Sequence, residues 1–266
     1  MKAASRCLIL AAALSACWVR SPGGEPVELS VPLSDTLRRV AGNGKRSSHQ
    51  TARIAYAVPP GFDPARPWPI LVISATSDPS YNSSTLHLRD FATAATAEGW
   101  VVVAADPPRP VPLGLDSNEL RYALARAALA HLATLWPGSD RWPLAFGGFS
   151  GGAKRSGWLA AMFARDGRVP IGIFQGGCNA ATTAEAVNIY GPPRRAFRAV
   201  PVFLSSGEAD GIATPGEHRM VATVLRADGF SRVRFETYAG CHVLDPAHVG
   251  AALRWFLATT QKEGAP

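Results

Sequence analysis

Several common signatures are missing from this 266-residue chain. There is no H-E-x-x-H, no paired C-x-x-C and no G-x-G-x-x-G after a strand pattern, so no metal and no cofactor is expected. No internal repeat or low-complexity tract divides the sequence, which argues against a solenoid and for one globular unit. Charge is scarce at 18%, against 47% hydrophobic residues, a balance that excludes a disordered chain and suits an enzyme with a sizeable core. The formal net charge is +7. Its densest clusters, Lys45-Arg46 and Arg194-Arg195-Arg198, are short and lack interleaved aromatics, so the reading is a mildly basic surface and no nucleic-acid partner.

Long apolar runs are also lacking. The run from Cys7 to Ala16, preceded by Lys2 and Arg6, is too short to span a bilayer and suits the core of a secretory signal. It closes on Leu14-Ser15-Ala16-Cys17, which resembles the lipobox of bacterial lipoproteins, whose cysteine is acylated. Residues 1–16 are therefore expected to be a signal peptide, and the protein to be exported to the bacterial cell envelope or secreted. Its membrane contact would be a lipid on Cys17 only. The alternative is an ordinary signal cut near Ala16. Of the four cysteines, Cys178 and Cys241 are then left as a pair in an oxidising compartment. A disulfide between them is expected, with two separate thiols as the alternative.

Ser21 to Gly44 is rich in Ser, Pro and Gly, so residues 17–50 read as a lipid-anchored or flexible tether with a marginal edge strand near Glu28 to Val31, leaving 51–266 as the catalytic domain. "TARIAYAV" alternates like a half-buried strand, whereas "PILVIS" and "WVVVAAD" are continuous apolar runs of the kind found in buried parallel strands. Further strands are predicted at "WPLAFGG", "VPIGIFQGG", "VPVFLSSG" and "VRFETYAG". Helices are predicted from Ser83 or Ser84 to Gly99, from Ser117 to Leu135 and from Gly152 to Arg165, and near Pro215 to Asp228 and Asp245 to Thr259. This alternation implies an α/β fold, a mostly parallel sheet flanked by helices, with its chemistry beyond the carboxyl ends of the strands.

At one such end lies Gly148-Phe149-Ser150-Gly151-Gly152, a G-x-S-x-G match between a predicted strand and a predicted helix. A sharp strand-to-helix turn gives its serine an unfavourable backbone and needs small neighbours, which the glycines supply. Ser150 would then stand at a helix N-terminus, with the Gly151 N–H a candidate oxyanion donor. A serine hydroxyl needs a histidine base oriented by a carboxylate. Asp210 follows the next-to-last strand and His242 the last one. Glu208 and Asp106 compete for the acid, and His218, His248, His131, His87 and His49 for the base.

In these residues the chain resembles the α/β-hydrolase superfamily from about Thr51 to Leu257, through "PPGFDPARPWPILVIS", the Gly148 to Gly152 elbow, "SGEADGIATP" and "GCH". It is most similar to compact secreted esterases related to polyhydroxyalkanoate depolymerases and feruloyl esterases. The resemblance implies an α/β-hydrolase fold with Ser150 as nucleophile, Asp210 as orienting acid and His242 as base, acting on a small or polymeric ester. Where many relatives carry His-Gly at the end of the third strand, this chain has Ser74-Ala75-Thr76-Ser77, so Thr76 or Ala75 is the candidate for the second oxyanion donor. The only candidate lid is Asn179 to Ala199, which implies a minimal lid or none. The same constellation would serve a peptidase or amidase. With an incompetent oxyanion loop it would instead be a ligand-binding protein of the cell envelope.

Overall fold

The alternation expected from the apolar pattern is realised in eight strands and eight α-helices in a computed structural model that describes residues 26–112 and 114–263, with side chains to residue 260. The signal segment and Cys17 lie outside the described residues. Along the chain the strands are β1 (Val27–Pro32), β2 (Thr51–Ala57), β3 (Ile70–Ser74), β4 (Val101–Asp106), β5 (Leu144–Phe149), β6 (Gly172–Gly176), β7 (Val202–Gly207) and β8 (Val233–Tyr238). They form one sheet in the order β1-β2-β4-β3-β5-β6-β7-β8. Strands β3 to β8 are mutually parallel, and β1 and β2 are antiparallel to their neighbours.

The helices are α1 (Asp35–Ala41), α2 (Ser84–Ala97), α3 (Asn118–Leu135), α4 (Gly151–Arg165), α5 (Thr182–Tyr190), α6 (Arg194–Arg198), α7 (Pro215–Ala227) and α8 (Pro246–Glu263). They cover both faces of the sheet, which is why β3 and β4 are buried at every residue. Successive side chains of a strand point to opposite faces. Ile70 and Val72 therefore join the core shared with Leu120 and Leu124 of α3 and Leu159 of α4, while Leu71 and Ile73 join Leu88 and Phe91 of α2 and Leu253 and Phe256 of α8. Gly172 lets α8 approach, since a Cβ there would lie 2.2 Å from the Phe256 ring.

Two further segments have definite places in the fold. Residues 27–41 are part of the folded unit, because β1 pairs with β2 from Val27↔Tyr56 to Pro32↔Thr51 and α1 packs on α3. The ladder to β2 stabilises a strand that has no apolar run of its own. The candidate lid forms α5 and α6, and α5 is docked on α4: Thr182 Oγ1 donates to Lys154 O (2.9 Å), and a Cβ on Gly157 would stand 2.2 Å from Thr183 Oγ1.

A cluster of four buried charges lies under the carboxyl ends of β3 and β4. Asp106, Asp116, Arg121 and Arg155 are each less than a tenth exposed. Arg121 grips Asp116 with two parallel bonds, Nε to Oδ1 (2.5 Å) and Nη2 to Oδ2 (2.9 Å), and reaches Asp106 Oδ1 through Nη1 (2.5 Å). Asp106 also accepts the N–H groups of Ser84 (2.8 Å) and Thr85 (2.9 Å), the first donors of α2. Burial works against its charge, but Arg121 and these N–H groups outweigh burial and hold its carboxyl below the usual range.

Arg121→Met removes the fork on Asp116 and the shortest cation contact of Asp106, leaving these buried carboxylates only the longer contacts to Arg155 (3.2 Å) and Arg53 (3.3 Å), and is expected to cost about 3–5 kcal/mol in urea or thermal melts. Arg89→Met removes a pair with Glu28 whose side chains are 61% and 37% exposed, and is expected to cost less than about 1 kcal/mol. Because the Asp106 pKa is depressed on folding, its contribution is present above about pH 4 and lost as pH falls through the lowered value. Thermal melts along a descending pH series check this.

Candidate active site

The elbow is a matter of space before it is one of chemistry. A Cβ on Gly148 would stand 2.3 Å from the Gly152 carbonyl, one on Gly152 2.1 Å from Ser74 O, and one on Gly151 2.2 Å from Thr76 Oγ1. Helix α4 thus starts against the ends of β3 and β5 at a distance only glycine tolerates. The residue among these glycines takes the strain: Ser150 has φ 56° and ψ −123°, a conformation that costs a non-glycine residue about 1–3 kcal/mol. The Ser150 N–H donates to Gly176 O (2.8 Å) and ties the turn to β6.

Other helices of this chain show what a hydroxyl residue ordinarily does at this position. Ser34, Ser83, Ser117 and Thr214 precede α1, α2, α3 and α7 with negative φ, and each side chain accepts an N–H of the first turn. Ser150 has positive φ and makes no capping bond. Its hydroxyl is therefore not spent on the helix.

The acid and histidine loops meet beside it. Asp210 is 3% exposed, and its Oδ1 accepts the N–H groups of Ile212 and Ala213, both at 2.8 Å. Its Oδ2 lies 2.8 Å from His242 Nδ1. Burial disfavours the charge, yet the Ala213 N–H, His242 and the Ile212 N–H together keep the carboxyl below its ordinary value. The two loops are bonded to each other as well, Ala209 N–H to Gly240 O at 2.8 Å. The His242 ring packs on Phe149, the chain neighbour of Ser150, with centroids 4.7 Å apart. Among the described residues no hydrogen bond joins Ser150 Oγ to His242. With Nδ1 facing a carboxylate, Nε2 is the nitrogen free to exchange a proton with a neighbouring group.

Glu208, Asp106, His248, His87 and His218 are engaged elsewhere. Glu208 is exposed and accepts the Thr237 hydroxyl (3.3 Å), and Asp106 belongs to the buried arginine cluster. His248 bonds Ser205 Oγ through Nδ1 (2.8 Å), and His87 meets Asp90 (3.3 Å). His218, on α7, is fully buried. Its Nε2 accepts the Cys178 N–H (2.8 Å) and its Nδ1 faces Thr214 O (3.1 Å), so it ties the acid loop to the turn after β6. Burial lowers its pKa, consistent with the neutral ring those two bonds require.

The expected Cys178–Cys241 disulfide is absent, and both thiols are free. Cys178 is buried, its Sγ donating to Ala180 O (3.2 Å), whereas Cys241 stands exposed on the histidine loop. The two sulfurs face different surroundings. Burial pushes the Cys178 thiol up to about 11, which leaves it protonated and unreactive at neutral pH.

For the facing loop, the two candidates named from the sequence are in different situations. The Ala75 N–H is already bonded to Ser84 Oγ (3.1 Å). The Thr76 N–H has no acceptor among the described residues, and neither does that of Gly151, the first residue of α4. Sequence reasoning missed Arg155, which donates to both Ala75 O (2.9 Å) and Thr76 O (3.2 Å). The available signal was a charged residue on the inner side of an apolar helix. Among the described residues no group of three or more His, Cys, Asp or Glu is placed to hold a metal ion.

No protein-family model matches the chain, and no curated protein matches it by sequence. Solved structures do match in three dimensions. An α/β serine hydrolase without a lid from Xanthomonas campestris superposes with a TM-score of 0.57 at 15% identity, over 88% of this chain and 94% of the other. A cold-adapted esterase from an Arctic intertidal metagenomic library gives a TM-score of 0.57 at 14% identity, over 89% and 94%. An acylaminoacyl peptidase from Pyrococcus horikoshii gives 0.57 at 12% identity, over 90% of this chain and 41% of the peptidase. The fold is that of the α/β hydrolases.

Gly148→Ala is expected to destabilise the protein by about 1–3 kcal/mol, because backbone rather than a flexible side chain blocks the new methyl. Gly216→Ala, exposed in the first turn of α7 with its nearest neighbour at 3.7 Å, is expected to gain about 0.5–1 kcal/mol. Paired denaturant melts check both signs.

Proposed function

We propose that the chain is an exported serine hydrolase that cleaves carboxylic esters through an acyl-enzyme on Ser150. The observation that carries this reading is Ser150 itself, held at φ 56° with its hydroxyl unspent while the hydroxyl residues before four other helices cap. Its nearest supporting feature is the Asp210–His242 pair, packed through the imidazole on Phe149.

In this reading Ser150 Oγ attacks the ester carbonyl carbon and its proton passes to His242 Nε2, while Asp210 holds the ring and offsets the imidazolium charge. The carbonyl oxygen becomes an oxyanion, held by the N–H groups of Gly151 and Thr76. Collapse expels the alcohol, which takes the proton from His242. Water then gives a proton to His242 and attacks the acyl carbon, and the acid leaves as Ser150 regains its proton.

Two features support an apolar ester as the substrate. Exposed Tyr81, Leu115, Ile212 and Val243 stand on the loops that follow β3, β4, β7 and β8, at the same sheet edge as Ser150. The esterase and the lidless hydrolase are matched along nearly their whole length, while most of the peptidase has no counterpart here.

A fluorophosphonate probe should label the wild type and not Ser150→Ala, and p-nitrophenyl butyrate should be turned over faster than the matching anilide. Asp210→Asn should lower kcat by about 10³ to 10⁴. Absence of both labelling and turnover in the wild type would sink the reading. Export is carried by residues 1–17: radiolabelled palmitate should enter the chain in a lipoprotein-processing bacterium, and Cys17→Ser should abolish it.

A further inference from the structure

Arg155 is a buried charge that joins the carboxylate cluster to the backbone of the loop after β3. It lies on α4 five residues after Ser150, is 4% exposed, and burial pulls its pKa down to about 10, so it remains protonated at neutral pH. Its Nη1 donates to Ala75 O (2.9 Å), Thr76 O (3.2 Å) and Asp116 Oδ2 (3.2 Å), and its Nη2 to Asp116 O (3.1 Å). Asp116 is itself clamped by the fork of Arg121. The guanidinium therefore has a fixed place, and it uses that place to hold two consecutive carbonyls of the loop after β3.

A trans peptide group is planar, with its C=O and N–H pointing in opposite directions. Ala75 C=O and Thr76 N–H belong to one such group, so gripping the first orients the second. With Ala75 N–H on Ser84 Oγ and both carbonyls on Arg155, three of the four backbone polar groups of Ala75 and Thr76 are engaged. The fourth, Thr76 N–H, lies on backbone packed against Gly151, whose added Cβ would be 3.1 Å from Thr76 Cα. A cation on the carbonyl side also polarises the peptide group and strengthens its N–H as a donor.

We propose that Arg155 is a positioning residue for the oxyanion hole, aiming the Thr76 N–H at the developing negative charge through the Ala75–Thr76 peptide plane. This rests on the serine hydrolase reading and adds to it a cause for the competence of a loop without glycine. Arg155 touches no reacting atom. Its effect is confined to steps in which negative charge builds on the former carbonyl oxygen.

The test compares Arg155→Met with wild type on p-nitrophenyl butyrate and on its thiono analogue, in which C=S replaces C=O and the hole's N–H groups meet a weak acceptor. Arg155→Met should lower kcat for the oxygen ester by about 10²-fold, the order expected for one misaimed donor, with KM changed by a factor of a few at most. Turnover of the thionoester should be nearly unchanged. Circular dichroism and a thermal melt establish that the variant is folded at the assay temperature. If it is not, Arg155→Lys decides by the same comparison: lysine keeps a cation opposite Asp116 but lacks the planar fork, and should cost about tenfold on the oxygen ester. Full activity of the folded variant on the oxygen ester, or equal loss on both esters, would overturn the positioning role and leave the hydrolase reading standing. A wild type that neither labels with fluorophosphonate nor turns over either ester removes the hydrolase reading, and the positioning role with it.

Discussion

The first turn of α4 is pressed against the ends of β3 and β5 so closely that Gly148, Gly151 and Gly152 have no room for a Cβ. Much of the site follows from that contact. It forces Ser150 into positive φ, denies it the capping role taken by Ser83 and Ser117, and lays Gly151 against Thr76. The strain is sustained because the turn is held from outside, by the Ser150 N–H on Gly176 O and by the two cores that pack α4 and its neighbours onto the sheet.

A second constraint sits beneath the facing loop. Asp106, Arg121, Asp116 and Arg155 join the end of β4, helix α3, the loop before it and helix α4 into one charged chain that ends on the Ala75 and Thr76 carbonyls. Burying four charges is costly unless they are paired and bonded. Here the two signs balance, and much of the remaining capacity is met by backbone, including the first N–H groups of α2 on Asp106. The elbow and the loop opposite it thus rest on different forces, steric exclusion on one side and buried electrostatics on the other.

The sequence was most legible where structure follows from local pattern. The continuous apolar runs at β3 and β4 became strands buried on both sides, and Ser83, one of the two residues expected to start α2, became its cap. The positions of Ser150, Asp210 and His242 after their strands were legible for a related reason, since a parallel sheet collects the carboxyl ends of its strands at one edge. An edge strand near Glu28 to Val31 was legible and is β1, but the docking of α1 on α3 was not, because it depends on a contact between segments far apart in the chain. The Cys178–Cys241 pairing failed because counting cysteines gives no direction for their side chains: one thiol turns inward and the other lies at the surface.

By itself the sequence determined a parallel α/β sheet, a strand-to-helix turn that only small residues permit, and an acid and a histidine on the last two loops. These are consequences of periodicity, residue size and chain order, all properties of short segments. Only the tertiary structure decided which partner each polar group takes: that the Ala75 N–H is consumed by Ser84, that both carbonyls of the Ala75–Thr76 pair fall to Arg155, and that the Thr76 N–H is left over. That outcome depends on atoms from the loop after β3, from α2, from the loop before α3 and from α4 meeting within about 3 Å, the reach of a hydrogen bond, and no local pattern in the chain encodes such a meeting.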